Sequence, residues 1–141
     1  EALVGTTLLC ALGGGQQVRL LRGDVRNPLL REIGRLRELT FGEWEGFTWR
    51  DVRKAEREQA HLRERDKWGF VPPGGESYRM LAERVRPVLE ELKRETVIVS
   101  HGGVARAVLA LVGAVAPREA SMVEIWQGKL LVVSGNKADW L

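Results

Sequence analysis

The clearest hydrophobic pattern along the chain is the run Thr96-Val97-Ile98-Val99. It leads directly into Ser100-His101-Gly102-Gly103, after which apolar residues recur at helical spacing from Val104 to Leu111. An unbroken β-favouring run of this kind predicts a strand buried on both faces, as in a parallel sheet. The next strong pattern is the stripe Met80, Leu81, Val85, Val88, Leu89 and Leu92, which predicts a helix over residues 78–93 with Ser77 as its N-cap. Residues 48–65 are highly charged and predict one exposed helix laced with ion pairs. Leu3, Leu8, Leu9, Ala11 and Leu12, stopped by Gly13-Gly14-Gly15, predict a short helix over residues 1–12. Residues 16–37 are Arg-rich with Pro28 and read mostly as loop, and 117–120 as a connector. Residues 122–126 and 129–134 predict two strands joined in a hairpin at Gln127-Gly128. Helices alternating with strands give an α/β class, expected as a three-layer sandwich around a largely parallel sheet.

Composition changes this picture little. At 141 residues, 44% of them hydrophobic and 29% charged, the chain suits one ordinary domain, 1–141. The net charge of +3 is spread among interleaved acids, and no basic stripe alternates with aromatics, so nucleic acid is not an expected partner. No apolar run is long enough for a membrane span, and residues 1–12 lack the basic start of a signal peptide. The single cysteine, Cys10, allows no internal disulfide and fits a reducing, cytoplasmic setting. Two histidines and one cysteine offer no zinc spacing, so neither metal nor another cofactor is expected.

Three segments carry candidate chemistry. In the first, His101 stands where a buried strand meets Gly102-Gly103 and a helix N-terminus, the place where open α/β sheets hold ligands and where backbone N–H groups receive anions. Two readings stand: an inert strand-end histidine, or an imidazole beside an anion pocket formed with Ser100 and Gly102. The second is Arg35-Leu36-Arg37-Glu38-Leu39-Thr40-Phe41-Gly42-Glu43-Trp44-Glu45-Gly46. It reads either as a turn with an aromatic anchor or as a loop presenting a carboxylate, raised in pKa by partial burial, as a general acid. The third, Val71-Pro72-Pro73-Gly74-Gly75-Glu76-Ser77, reads as a loop and helix cap, or as the rim of a substrate pocket. His61 reads as surface and Cys10 as core.

Taken together, Leu36-Arg37-Glu38 with Phe41-Gly42-Glu43-Trp44-Glu45-Gly46, then Pro73-Gly74-Gly75-Glu76-Ser77, then Val99-Ser100-His101-Gly102-Gly103 resemble, in order and approximate spacing, the histidine phosphatase (phosphoglycerate-mutase-like) superfamily, and within it the small bacterial phosphatases. The resemblance runs from about Arg35 to the C-terminus. It implies hydrolysis of phosphomonoesters through a phosphohistidine, with a small phosphorylated metabolite as substrate. A histidine matching His101 would stabilise the transferring phosphoryl group, an acid matching Glu38 would protonate the leaving oxygen, and Gly102 and Ser100 would contact phosphate. The family's nucleophile lies in an Arg-His-Gly motif, and this sequence has none: its only histidines are His61 and His101, and the two arginines that hold the phosphate in the family are also unmatched. The expectation is therefore a family domain incomplete at its N-terminus, with the nucleophile-bearing strand missing. The alternative is a non-catalytic pseudophosphatase that keeps the phosphate pocket.

Overall fold

The computed structural model describes residues 6–12, 33–93 and 95–141, and of 6–12 the backbone alone. Along the chain lie strand β1 (Thr6–Leu12), helices α1 (Trp49–Ala55), α2 (Arg57–Arg65) and α3 (Tyr78–Glu91), strand β2 (Thr96–His101), helices α4 (Gly102–Leu111) and α5 (Pro117–Ala120), and strands β3 (Leu130–Ser134) and β4 (Lys137–Trp140). Single 3-10 turns occupy Gly34–Leu36 and Gly42–Trp44. The class is α/β, as expected.

The sheet corrects the sequence-based picture in four ways. Its order is β2-β1-β3-β4. Only β1 and β2 run parallel; β1–β3 and β3–β4 are antiparallel, so among the described residues the sheet is mixed rather than largely parallel. An N-terminal strand is present: β1 lies between β2 and β3, in register with β2 from Thr7↔Thr96 to Leu12↔His101. Of the helix expected over residues 1–12, residues 6–12 are a strand and the rest lies outside the described residues. A seven-residue helix is marginal alone, whereas between two strands its backbone groups find ladder partners on both sides. Finally, β2 is an edge among the described residues. Ile98 and Ser100 are buried while Val97 is 66% and Val99 45% exposed, so the strand is covered on one face only. The sandwich reading that required β2 buried on both faces does not hold as stated.

The hairpin is also displaced. It joins β3 to β4 through Gly135-Asn136, with Ser134 opposite Lys137 and Gly135 at φ +59°. A two-residue turn of that kind matches the twist of the paired strands. Among the described residues, 122–126 pair with no strand; their place is against α4, where Arg106 Nε donates to Val123 O at 2.8 Å.

The core is formed by α3, α4 and one face of the sheet. Tyr78, Leu81, Ala82, Val85, Val88 and Leu89 form the buried stripe of α3, while Met80, assigned to that stripe from sequence, is exposed. Ser77 caps the helix, its Oγ accepting from Met80 N at 3.2 Å. Helix α4 is buried nearly all round because it lies between α3 and the sheet. The expected long charged helix is two helices broken at Glu56. The first starts at a capping box between Thr48 and Asp51. They enclose a second, smaller core of Trp44, Val52 and Ala60, with Phe41, Trp49 and Phe70 against it.

Candidate functional site

The three segments singled out in the sequence meet at the carboxyl end of β2. Residues 40–43 and 73–76 run side by side, with Glu76 N donating to Thr40 O and Glu43 N to Pro73 O, both at 2.9 Å. Gly42, at φ +58°, is packed so closely on the backbone of Pro73–Gly75 that no side chain fits there.

Glu38 lies where this layer reaches α4. Its Oε1 accepts from Leu39 N at 2.9 Å and its Oε2 from Gly103 N at 3.2 Å. A Cβ on Gly103 would collide with Oε1 of Glu38, so the glycine is what lets the carboxylate reach the first turn of α4. Here the structure departs from the expected free anion site: one of the donors after His101 is already satisfied by Glu38.

His101 ends β2 and precedes α4, half-buried, and its ring makes no hydrogen bond among the described residues. Gly102 begins the helix beside Ile125 and Arg106. Ser100, expected at the phosphate, is 2% exposed and its hydroxyl donates to Leu36 O at 2.7 Å. In this arrangement it ties the segment before Glu38 to β2.

The other acids of the loop are placed differently. Glu45 accepts from the Thr40 hydroxyl and from Phe41 N, and these bonds, the hydroxyl's first, hold its carboxyl below the usual carboxylate range. That is the opposite direction from a raised-pKa acid. Trp44 is buried, donating Nε1–H to Glu56 Oε1 at 3.0 Å and stacking on Phe70 with ring centroids 5.5 Å apart. It anchors the loop as the sequence suggested.

A cationic group beside the site was not singled out from sequence. The Arg63 guanidinium lies over the rings of Trp49 and Phe41, 4.9 and 5.8 Å from their centroids. Burial pushes its pKa down. Burial, then the positive charges of Arg63 and Arg106, lowers the Lys67 ammonium as well. Arg106 Nη1 donates to Tyr78 Oη at 3.4 Å and lies 3.6 Å from the point a Cβ on Gly102 would occupy. Tyr78 in turn stacks on Trp68. The charges of Arg63 on α2 and Arg106 on α4 thus both act on Lys67, in the turn after α2. Their signal in the sequence was faint: Lys67 precedes Trp68 just ahead of the Pro-Pro-Gly-Gly loop, and Arg106 stands one helical turn after Gly102. Among the described residues no group of three or more His, Cys, Asp or Glu side chains is placed to hold a metal ion. No helix there is long and apolar enough to cross a membrane.

A family model described as the histidine phosphatase superfamily (branch 1) matches residues 18–141. The chain is 42% identical over 114 residues to a 6-phosphofructo-2-kinase/fructose-2,6-bisphosphatase of Caenorhabditis elegans, covering 78% of this chain and 24% of that protein. It is 38% identical over 77 residues to 6-phosphofructo-2-kinase/fructose-2,6-bisphosphatase 3 of Homo sapiens, covering 53% of this chain and 15% of that one. The chain thus spans a minor part of the length of these curated relatives. Among solved structures, the alpha-ribazole phosphatase of Shigella flexneri matches with a TM-score of 0.66 over 98% of this chain and 71% of its own, a likeness of fold at 22% identity. A mycobacterial glucosyl-3-phosphoglycerate phosphatase in complex with inorganic phosphate matches with a TM-score of 0.61 and 26% identity, over 76% of this chain and 59% of its own.

Proposed function

We propose, on the premise that this chain belongs to the histidine phosphatase superfamily (branch 1), that the end of β2 is a phosphoryl-transfer site for a small phosphomonoester. One observation supports this most: Glu38 is hydrogen-bonded to the amide of Gly103, two residues past His101, which sets a carboxyl group and an imidazole at one strand end. In the proposed reaction a nucleophilic histidine attacks phosphorus and the P–O bond to the leaving group breaks. Glu38 gives its proton to the departing oxygen. The His101 ring and the Gly102 amide offset charge on the other phosphoryl oxygens. Water then attacks the phosphorus of the phosphohistidine while Glu38 takes up its proton, the P–N bond breaks to release the histidine, and inorganic phosphate leaves. The nucleophile and the two phosphate-holding arginines of the family are the roles that no residue of this sequence matches. The register Leu12↔His101 supports the end of β1 as the nucleophile's position.

Arg63, Lys67 and Arg106 extend the proposal to substrate class. Arg106 beside Gly102, with Lys67 lowered by burial and by the charges of Arg63 and Arg106, suits a substrate bearing a second anionic group. The bisphosphatase names of two relatives point the same way. The proposal includes the cytoplasmic setting and the absence of a metal or other cofactor expected from sequence.

Titration with inorganic phosphate, followed through the His101 ring and the Gly102 amide by NMR, tests the site. Both signals are expected to move at millimolar phosphate, and no movement of either would overturn the proposal. A sugar bisphosphate is expected to bind roughly tenfold more tightly than the matching monophosphate, the scale of one charge-assisted contact. Lys67→Met is expected to abolish that preference. Equal affinities in the parent would remove the second anionic group from the proposal.

A further inference from the structure

The segment carrying Glu38 is held from outside by an ion pair that touches none of the reacting groups. Arg84, on α3, donates Nε–H to Glu76 Oε1 at 2.9 Å and Nη2–H to Oε2 at 2.7 Å. The two side chains are 13% and 11% exposed. The remaining Nη1 donates to Arg35 O at 2.6 Å and Arg37 O at 3.1 Å. Ser100 takes the carbonyl between them, Leu36 O. Three consecutive carbonyls ahead of Glu38 are therefore bound by side chains of α3 and β2. On the other side of Glu38, the backbone N–H of Glu76 holds Thr40 O. Glu76 thus acts on both flanks of Glu38, through its carboxylate and Arg84 on one and through its own amide on the other.

Stability alone is a poor account of this arrangement. A nearly buried ion pair loses hydration on both partners, and an apolar pair of similar volume often holds a fold as well or better. What an apolar pair lacks is direction. A planar guanidinium presents five donors in a rigid fork, and here it satisfies both oxygens of a carboxylate while reaching two carbonyls of another segment. Lysine has the charge but not the fork.

We infer that Arg84, oriented by Glu76, is a positioning residue for Glu38, fixing the backbone on which the proposed acid stands so that its carboxylate meets the amide of Gly103. The inference rests on the reading of Glu38 given above. Its test is nevertheless separate, because it reads the position of the carboxylate rather than turnover.

In the parent protein, the backbone amides of Leu39 and Gly103 are expected to follow the ionisation of Glu38 in NMR titrations against pH, and Glu38→Gln is expected to abolish the response. In Arg84→Lys, the Gly103 amide is expected to lose most of its titration amplitude and to exchange with solvent about tenfold faster, as loss of one hydrogen bond would produce. Amides of β3 and β4 should keep their parent shifts and protection. Should Arg84→Lys fold poorly, Arg84→Met with Glu76→Leu removes both charges together, and the same local change at Gly103 is expected. Full titration amplitude at Gly103 in either variant overturns the inference, as does loosening spread evenly to β3 and β4. Persistence of the Gly103 response in Glu38→Gln overturns it at its root. If the Arg84 variants behave as described while phosphate leaves His101 unmoved, the positioning role stands and the phosphoryl-transfer proposal fails.

Discussion

At the residue scale, Gly103 and Glu38 form one unit. Replacing Gly103 with alanine sets a methyl group where Glu38 Oε1 now lies, while alanine raises helix propensity in α4 by up to about 1 kcal/mol. Gly103→Ala should therefore change the melting temperature little and displace Glu38. In NMR titrations against pH, the Gly103 amide should stop reporting the Glu38 ionisation, and a preserved response would show that the close approach is not required. Glu45 carries the opposite lesson. Its folded pKa lies below its unfolded value of about 4.3, so its stabilising bonds to Thr40 and Phe41 are present above that pH and are lost as pH falls through the lowered folded value. Denaturant unfolding across the acid range should show Thr40→Ala flattening that part of the profile without changing stability's dependence on pH near neutrality. His101 stood out in the sequence through the strand, the Ser-His-Gly-Gly turn and the helix around it, whereas Glu38 stood out from its neighbouring acids only through the family resemblance. Lys67 and Arg106 did not stand out. Each is one cation among 22 Lys and Arg residues, and only the fold brings them together.

At the scale of elements, the helices were easier to read than the strands. Helix α3 announces itself through its apolar period and the cap at Ser77, and its observed end at Glu91 falls within two residues of expectation. Removing that cap with Ser77→Ala should cost about 1 kcal/mol, as loss of a side-chain N-cap does, measurable by denaturant unfolding. The loss should be largest in the first turn of α3 by amide exchange; an unchanged unfolding midpoint would deny Ser77 that role. The leucines of residues 6–12 are compatible with either a helix or a strand. Pairing with β2 on one side and β3 on the other decided the matter, and partners that distant in sequence leave no local mark. The hairpin was misplaced for a related reason: Gln127-Gly128 and Gly135-Asn136 are both acceptable turn sequences. Only the second has a strand on each side, because Arg106 draws the chain at Val123 down onto α4.

At the scale of the molecule, the parts divide by task. One core of α3, α4 and the sheet holds the strand end bearing His101, and the smaller aromatic core under α1 and α2 holds Arg63 over Trp49 and Phe41. The central claim is that this strand end is a phosphoryl-transfer site to which the sequence supplies a matched acid and a matched second histidine but no nucleophile. The register Leu12↔His101 makes that claim directly testable, because Ala11→Arg with Leu12→His places Arg-His ahead of Gly13 at the end of β1. The decisive measurement is detection of phosphohistidine by 31P NMR after incubation with p-nitrophenyl phosphate, alongside release of nitrophenolate. The double variant should form phosphohistidine and turn over, the parent should do neither, and His101→Ala in the variant background should suppress both. A folded double variant that binds phosphate at His101 yet forms no phosphohistidine would contradict the account, as would robust turnover by the parent.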